Sequence, residues 1–299
     1  MTMSTSTAAI RLPGPVPGAG LAPGIVEVSV IVPAAAEQVW TALTQPDVVG
    51  QWFGNLSGPL EPGGSCRLDF GDGDFFEITD VVLRPPYRLS YAWRFLGTGP
   101  KNAISWVIEP QGDNCRVVVT DAEPSRTPEG VAELTEGWTD FLQRLQAFCA
   151  TGRNARYAWR REFDGAIELS IEPQRAFELL LSADGQKRWM PWSTQAIAAG
   201  ATVTMRDGRL PATLTIGAVE RIGATALRFA LTCPEWNAPT ECMVKTQPAP
   251  QGALLVIAHN GWQDISAHDG ERAEQRARFG SLWTQALHRA QELARQKLS

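Results

Sequence analysis

The chain has 299 residues, of which 44% are hydrophobic and 20% charged, and its 27 basic and 32 acidic side chains give a net charge of −5. This length suits two domains, and the apolar content excludes a disordered polypeptide. The acidic excess argues against a surface that coats nucleic acid, because such a surface needs clustered Lys and Arg.

Residues 1–24 are predicted to be a disordered tail, because four Pro, four Gly and a single charged residue, Arg11, bury too little apolar surface to order a segment. The tail lacks the basic start and apolar core of a secretory signal, and no segment has the roughly 18 apolar residues of a membrane span. The five cysteines show no C-x-x-C spacing. We therefore expect free thiols in a cytoplasmic protein, with no metal site and no cofactor.

The first half of the chain is predicted to contain one strand, two short helices, a strand meander and a long helix. A strand at 26–32 precedes helices within 36–54. Alternating apolar segments broken by Gly, Pro and Asn predict strands at 65–70, 75–83, 88–95, 104–110 and 116–121. In the closing segment, Trp138, Leu142 and Leu145 follow the i, i+4, i+7 spacing of one helix face.

The second half repeats this plan. Residues 283–293 match 138–148 at five of eleven positions, and 173–191 align with 36–54. A strand at 166–171 precedes the second helix pair. Further strands are predicted at 202–206, 210–216, 218–222, 226–232, 240–246 and 253–259, with a break at Gly217. Trp283, Leu287 and Ala290 form the apolar face of the last helix. The repeat indicates two copies of one domain.

Three segments of each copy carry a resemblance to a known family. They are VPAAAEQVWTALTQPDVVGQWF (32–53), PGGSCRLDFGDG (62–73) and EGWTDFLQRLQAF (136–148), and IEPQRAFELLLSADGQKRWMPW (171–192), HNGW (259–262) and LWTQALHRAQEL (282–293). The chain resembles the START-like (SRPBCC, helix-grip) superfamily, and more narrowly the branch named after the activator of the heat-shock protein 90 ATPase. The resemblance implies an α+β fold of two domains, residues 25–150 and 161–299, joined by a linker at 151–160. Each would be a curved antiparallel sheet wrapped around a long C-terminal helix.

The resemblance also implies an apolar cavity between sheet and helix. We expect it to bind a hydrophobic, aromatic or polyketide-like small molecule. One alternative is a cyclase, aromatase or dehydratase that acts on such a ligand. Another is a module that contacts a chaperone or enzyme partner through its surface.

Aromatic residues are the main candidates for ligand contact, since the chain has 11 Trp and 11 Phe but only 3 Tyr. The candidates in the first copy are Trp52, Phe76, Trp93, Trp106, Trp138, Phe141 and Leu142. Those in the second copy are Trp189, Phe229, Trp262, Trp283, Ala286 and Leu287. The same residues also suit ordinary core packing. Phe141 and Leu145 align with Ala286 and Ala290, which predicts pockets of different size unless Trp192, Trp236 and Trp262 fill the second one.

Few polar side chains are placed for chemistry. Asp121 and His259 end the last strand of their copies and share strand parity with apolar residues, and Tyr91 lies on a predicted inward face. We expect the two strand-end side chains to meet water. The alternative is that they face inward, where all three would be catalytic candidates for proton transfer. His268 and His288 are expected in solvent.

Overall fold

A computed structural model describes residues 12–157, 161–192, 197–205 and 214–296. The chain divides into two compact units. The first comprises Met1–Cys66, Ile78–Ala92 and Asn102–Arg156, and the second comprises Arg67–Glu77, Trp93–Lys101 and Tyr157–Ser299. Two short segments of the first copy thus group with the second unit. The domain limits expected from the repeat, 25–150 and 161–299, stay a prediction.

The first half follows the predicted order of elements. The strands are β1 (Val16–Pro17), β2 (Ile25–Val32), β3 (Asn55–Leu56), β4 (Cys66–Asp69), β5 (Phe75–Arg84), β6 (Arg88–Phe95), β7 (Lys101–Gln111) and β8 (Asn114–Ala122). The helices are α1 (Ala36–Thr44), α2 (Pro46–Val49) and α3 (Pro128–Thr151). The sheet order is β1-β2-β8-β7-β6-β5-β4-β3.

The amino-terminal segment differs from its prediction as a disordered tail. Val16 and Pro17 pair with Ser29 and Val28 at the sheet edge, where a proline is tolerated because no ladder donor is needed on its outer side. The Gly18 N–H also donates to the Glu27 carbonyl at 2.7 Å. The prediction was therefore wrong for these residues, while residues 1–11 lie outside the described part.

Helix α3 is defined by its caps and its buried face. The Thr127 hydroxyl accepts from the Gly130 N–H at 3.2 Å, and Gly152 ends the helix in the left-handed conformation with φ of 64°. The helix buries Trp138, Leu142 and Leu145, which confirms the predicted stripe. Burying this stripe keeps α3 on the sheet, and α3 packs chiefly along β2.

The second half repeats the architecture. Its strands are β9 (Phe163–Leu169), β10 (Thr202–Val203), β11 (Leu214–Ile222), β12 (Ala226–Thr232), β13 (Thr240–Ala249) and β14 (Gly252–Asn260). Its helices are α4 (Pro173–Leu181), α5 (Ala183–Trp189) and α6 (Asp269–Gln296), with a 3₁₀ turn at Trp262–Asp264. The sheet order is β10-β11-β12-β13-β14-β9.

Strand β11 corrects the predicted break at Gly217. The strand runs through this residue, and its pairing with β12 shifts register between Ile216 and Val219. Glycine suits such a β-bulge because it has no side chain to pack there. Residues 206–213, which include the start of the strand predicted at 210–216, lie outside the described residues.

The α+β fold of two antiparallel sheets, each with a long carboxy-terminal helix, is confirmed. Trp283, Leu287 and Ala290 are fully buried, as the helical spacing predicts. Within the described residues, no helix is both long and apolar enough to cross a membrane. All five cysteines are free thiols.

Candidate functional site

The carboxylate of Asp121 lies at the end of β8 and is completely buried in the first unit. Its Oδ1 accepts from Arg126 Nη2 at 2.7 Å and from Asn102 Nδ2 at 3.1 Å, and its Oδ2 accepts from Trp138 Nε1 at 3.1 Å. Burial raises the pKa of Asp121, although the charge and hydrogen bond of Arg126 pull it down. The expectation that this strand-end side chain meets water was wrong, because α3, the loop before it and the neighbouring strand β7 supply its partners.

His259 occupies the equivalent place at the end of β14 and is also completely buried. Its Nδ1 lies 2.9 Å from Trp283 Nε1, which donates, and its Nε2 lies 2.8 Å from the Thr240 hydroxyl. Since an indole nitrogen only donates, Nδ1 accepts and the neutral ring carries its proton on Nε2. Burial, with a smaller effect of the Arg276 charge, holds the pKa of His259 well below its ordinary value. Here too the expected solvent contact was wrong.

The two sites share one hydrogen-bond arrangement but use different acceptor groups. In each copy, a tryptophan of the closing helix donates its indole N–H to a buried side chain that ends the last strand. The acceptor is a carboxylate in the first copy and a neutral imidazole in the second. The sequence comparison places Asp121 and His259 within one residue of each other. The matching tryptophan contacts show that the two positions are structurally equivalent. His268 and His288 are exposed, as expected.

Five aromatic side chains of the first unit form what we call the first aromatic cluster. They are Trp52, Phe53, Trp106, Trp138 and Phe141. Trp106 lies edge to face against Trp52 and Trp138, with ring centroids 6.4 and 5.4 Å apart. The Phe53 and Phe141 rings also lie edge to face, with centroids 4.6 Å apart. Four of the five are buried, and Phe141 on α3 is half-buried.

The other first-copy candidates lie in three places. Phe76 stacks on Trp93 with ring centroids 3.9 Å apart, and both residues belong to the second unit. Leu142 is completely buried on α3. The Tyr91 hydroxyl accepts from Trp106 Nε1 at 3.1 Å, and burial raises the Tyr91 pKa.

The second-copy candidates all belong to the core of the second unit and are almost fully buried. Trp192 lies edge to face against Phe229 and Trp283, at 6.0 and 5.9 Å. Trp262 packs 5.0 Å from Phe279 and 4.2 Å from the His259 ring. Ala286, Leu287 and Ala290 lie in the same core. Indole rings that the first copy lacks therefore pack in the core that contains the two small helix residues.

Trp52 and Trp189 have matching local roles. The Trp52 Nε1 donates to the Ala42 carbonyl at 2.8 Å, and the Trp189 Nε1 donates to the Leu180 carbonyl at 2.9 Å. Each indole thus donates to a carbonyl in the last turn of the first helix of its pair, α1 or α4. Such a carbonyl has no partner within the helix. These contacts fix the helix pair. A ligand contact at either residue stays a prediction.

A buried ion pair that the sequence reasoning missed lies in the second unit. Arg276 on α6 and Asp74 are 0% and 1% exposed, and Nη2 lies 2.7 Å from Asp74 Oδ2. Arg276 also donates to the carbonyls of Asp72 and Glu162. Gly73, with φ of 94°, allows the turn to approach α6, because an added Cβ would lie 2.7 Å from the Ala277 carbonyl.

Arg126 was also missed, and a signal for it exists in the sequence. A buried carboxylate requires a cation or several donors, and Arg126 is the first basic residue after Asp121. Three surface clefts of about 770, 470 and 380 Å³ are lined by none of the predicted ligand-binding residues, and Arg126 lines the one of 470 Å³.

Comparison with known proteins places the chain in a family. The family model for activator of Hsp90 ATPase homolog 1-like proteins matches residues 33–150. The crystal structure of DynU16, a protein in the dynemicin biosynthetic locus, has 37% identity and a TM-score of 0.81, over 91% of this chain and 99% of that chain.

Two further structures are less similar to this chain. CalU16 from Micromonospora echinospora is 24% identical over 43% of this chain and 77% of that chain, with a TM-score of 0.37. The di-domain ARO/CYC BexL from the BE-7585A biosynthetic pathway is 15% identical over 90% of this chain and 98% of that chain, also with a TM-score of 0.37. No curated protein sequence matches. The repeated fold, the family model and the near-complete match to DynU16 together show that the chain belongs to the START-like (SRPBCC, helix-grip) superfamily as a tandem protein.

Proposed function

We propose that the chain binds a hydrophobic, aromatic or polyketide-like small molecule between the sheet and α3 of the first unit. The observation that carries this proposal is the 37% identity with DynU16 over 99% of that protein, because DynU16 lies in a biosynthetic locus. A protein related over its whole length to a member of such a locus is expected to handle a related class of molecule. The family alone would not decide this, since one fold hosts many functions.

The first aromatic cluster supports an apolar, flat guest. Its rings meet stacked, tilted or edge to face, at centroid distances of 4.6 to 6.4 Å. A planar molecule can exchange such ring–ring contacts for equivalent ring–ligand contacts. Such contacts contribute about 0.5–1.5 kcal/mol each beyond area burial. Phe141 is half-buried on the helix, which makes it the member that can move aside at least cost.

Asp121 supports the proposal because it occupies a hydrogen-bond donor of the first aromatic cluster. It accepts the only indole N–H of Trp138, and Tyr91 accepts that of Trp106. The N–H donors of both indoles are therefore already used within the protein. The cluster thus presents an apolar surface, which favours burial of an apolar molecule at about 25 cal/mol per Å² before association costs.

The second unit is proposed as the copy that does not bind. Ala286 and Ala290 make room on α6, but both are 0% exposed in a core that also holds Trp192 and Trp262. Compensated packing of this kind fills the space that the small residues leave.

No observation favours the cyclase, aromatase or dehydratase alternative. Both ring nitrogens of His259 have partners, and three donors already bind the carboxylate of Asp121. Roles for Asp121, His259 and Tyr91 in proton transfer stay predictions, as do the cytoplasmic location and a chaperone or enzyme partner.

The proposal is tested by titrating the full chain with 1,8-dihydroxyanthraquinone, a flat polyketide-like probe. Phe141→Trp puts a larger ring into the first aromatic cluster at a half-buried position, and Phe148→Trp makes the same change at another half-buried position of α3. We expect Phe141→Trp to weaken binding at least fivefold and Phe148→Trp to change it less than twofold. Equal effects of the two variants, or no binding to the unaltered chain, would contradict the proposal.

A further inference from the structure

A surface cleft of about 470 Å³ lies in the first unit, and no member of the first aromatic cluster lines it. One wall is the chain from Gly18 to Glu27, and the other is the loop before α3 with the first two turns of that helix. The volume lies within the range of small-molecule sites, about 300–1,000 Å³. The residues that line it are Gly18, Leu21, Ala22, Pro23, Gly24, Ile25, Val26, Glu27, Arg126, Pro128, Val131 and Thr135.

The wall contributed by the amino-terminal segment is held in place by specific contacts. Gln146 on α3 donates to the Pro13 carbonyl at 2.8 Å, and strand β1 pairs with β2. Gly24 has φ of 75°, and a Cβ added there would lie 2.2 Å from the Glu123 carbonyl. This close approach requires glycine and joins the wall to the loop before α3. The cleft is therefore built into the fold.

The lining combines an apolar body with one buried donor group. Arg126 has a side chain only 9% exposed. Its Nη1 donates to the carbonyls of Gly24 and Asp121, and its Nη2 donates to Asp121 Oδ1. A guanidinium has five N–H donors, so the Nε–H and one Nη2–H have no partner among the described residues.

The charges around the cleft decide which acceptor fits. Asp121 already pairs with Arg126, and Glu27 brings a second carboxylate to the lining. An anion would meet this excess of negative charge, whereas a carbonyl oxygen takes a hydrogen bond without adding charge. Leu21, one of the few exposed large apolar side chains in the described chain, lies in the same lining at 38% exposure. The surface therefore suits an uncharged apolar molecule.

We infer that this cleft is a second small-molecule site, which takes a neutral, largely apolar molecule and holds its carbonyl oxygen with Arg126. The site is separate from the first aromatic cluster and does not depend on the function proposed for that cluster. A guest there contacts the accessible side chains of Leu21, Pro23 and Val131 through its apolar body.

The test uses 6-propionyl-2-(dimethylamino)naphthalene, a neutral fluorescent naphthyl ketone, with the full chain. Val131→Trp fills the cleft, and Ala132→Trp makes a matched change at the next residue of α3, which does not line it. We expect Val131→Trp to weaken binding at least tenfold and Ala132→Trp less than twofold. Circular dichroism melting of both variants establishes that each one folds.

Two further probes identify the recognised group. 2-(Dimethylamino)naphthalene, which lacks the ketone, is expected to bind at least fivefold more weakly, and 6-(dimethylamino)-2-naphthoate, an anion, is expected to bind no better than the ketone. Equal affinities of the ketone and the analogue without it would overturn the role of Arg126. Tighter binding of the naphthoate would overturn the preference for a neutral group. Loss of ketone binding in Phe141→Trp, with Val131→Trp unaffected, would place the probe in the first aromatic cluster and refute the second site.

Discussion

Replacing His259 with glutamine is expected to remove a defined part of the pH dependence of stability. In the folded chain the ring is neutral, because burial and Arg276 hold its pKa well below the ordinary 6.5. In the unfolded chain the ring takes up a proton near that ordinary value. As the pH falls below about 6.5, the unfolded state binds a proton that the folded state excludes, so folding stability falls. Above about 6.5 both states are neutral and the effect vanishes.

The size of the effect follows from this difference in proton binding. One excluded proton costs about 1.4 kcal/mol per pH unit once the unfolded histidine is fully protonated. Integrated from pH 7 to pH 5 with an unfolded pKa of about 6.5, the loss is at most roughly 1.9 kcal/mol. His288→Gln is the control, since His288 is exposed on α6.

Urea unfolding at pH 5, 6 and 7 measures this difference. The free energy of unfolding of the unaltered chain minus that of His259→Gln should shrink by up to this amount between pH 7 and pH 5. The change for His259→Gln should exceed the change for the control His288→Gln. A difference for His259→Gln that is the same at all three pH values would refute the reasoning. So would a histidine NMR signal that disappears in His259→Gln and titrates with a midpoint near 6.5.

Two backbone and ion-pair predictions follow from the same structure. Arg276→Met breaks the buried ion pair with Asp74 and should lower the free energy of unfolding, measured in urea, by about 3–5 kcal/mol. Arg278→Met, on a partly exposed part of α6, should lower it by less than about 1 kcal/mol. Equal losses in the two variants would contradict the role of the buried pair. Gly24→Ala should lower the free energy of unfolding by about 1–3 kcal/mol, because a φ of 75° is strained for alanine and the added Cβ would meet the Glu123 carbonyl. A thermal melt measures this loss, and an unchanged melting temperature would show that the close approach is not required.

The repeat and the helix periodicity predicted the fold because both are local patterns. Trp138, Leu142 and Leu145 were assigned to one buried face from spacing alone, and the structure buries all three. Local patterns failed for Asp121 and His259. Strand parity gives the face of a side chain, but burial at a strand end depends on what covers it.

The groups that cover those two strand ends come from distant parts of the chain. Trp138 reaches Asp121 across 17 residues, and Trp283 reaches His259 across 24. The contact between Arg276 and Asp74 spans 202 residues. Such contacts depend on the packing of helices on sheets, so no spacing rule reveals them. The prediction of a disordered amino-terminal segment failed for the same reason, because the partners that order Pro13 and β1 lie on α3 and β2.

The indole N–H signals of the 11 tryptophans offer the most direct test of where a guest binds. In a two-dimensional ¹H–¹⁵N spectrum of the full chain, single Trp→Phe variants assign Trp106, Trp138 and Trp283. Addition of 1,8-dihydroxyanthraquinone is expected to shift the signals of Trp106 and Trp138 and to leave that of Trp283 in place. Shifts confined to Trp283, or a spectrum unaltered at saturating probe, would contradict binding between the first sheet and its long helix.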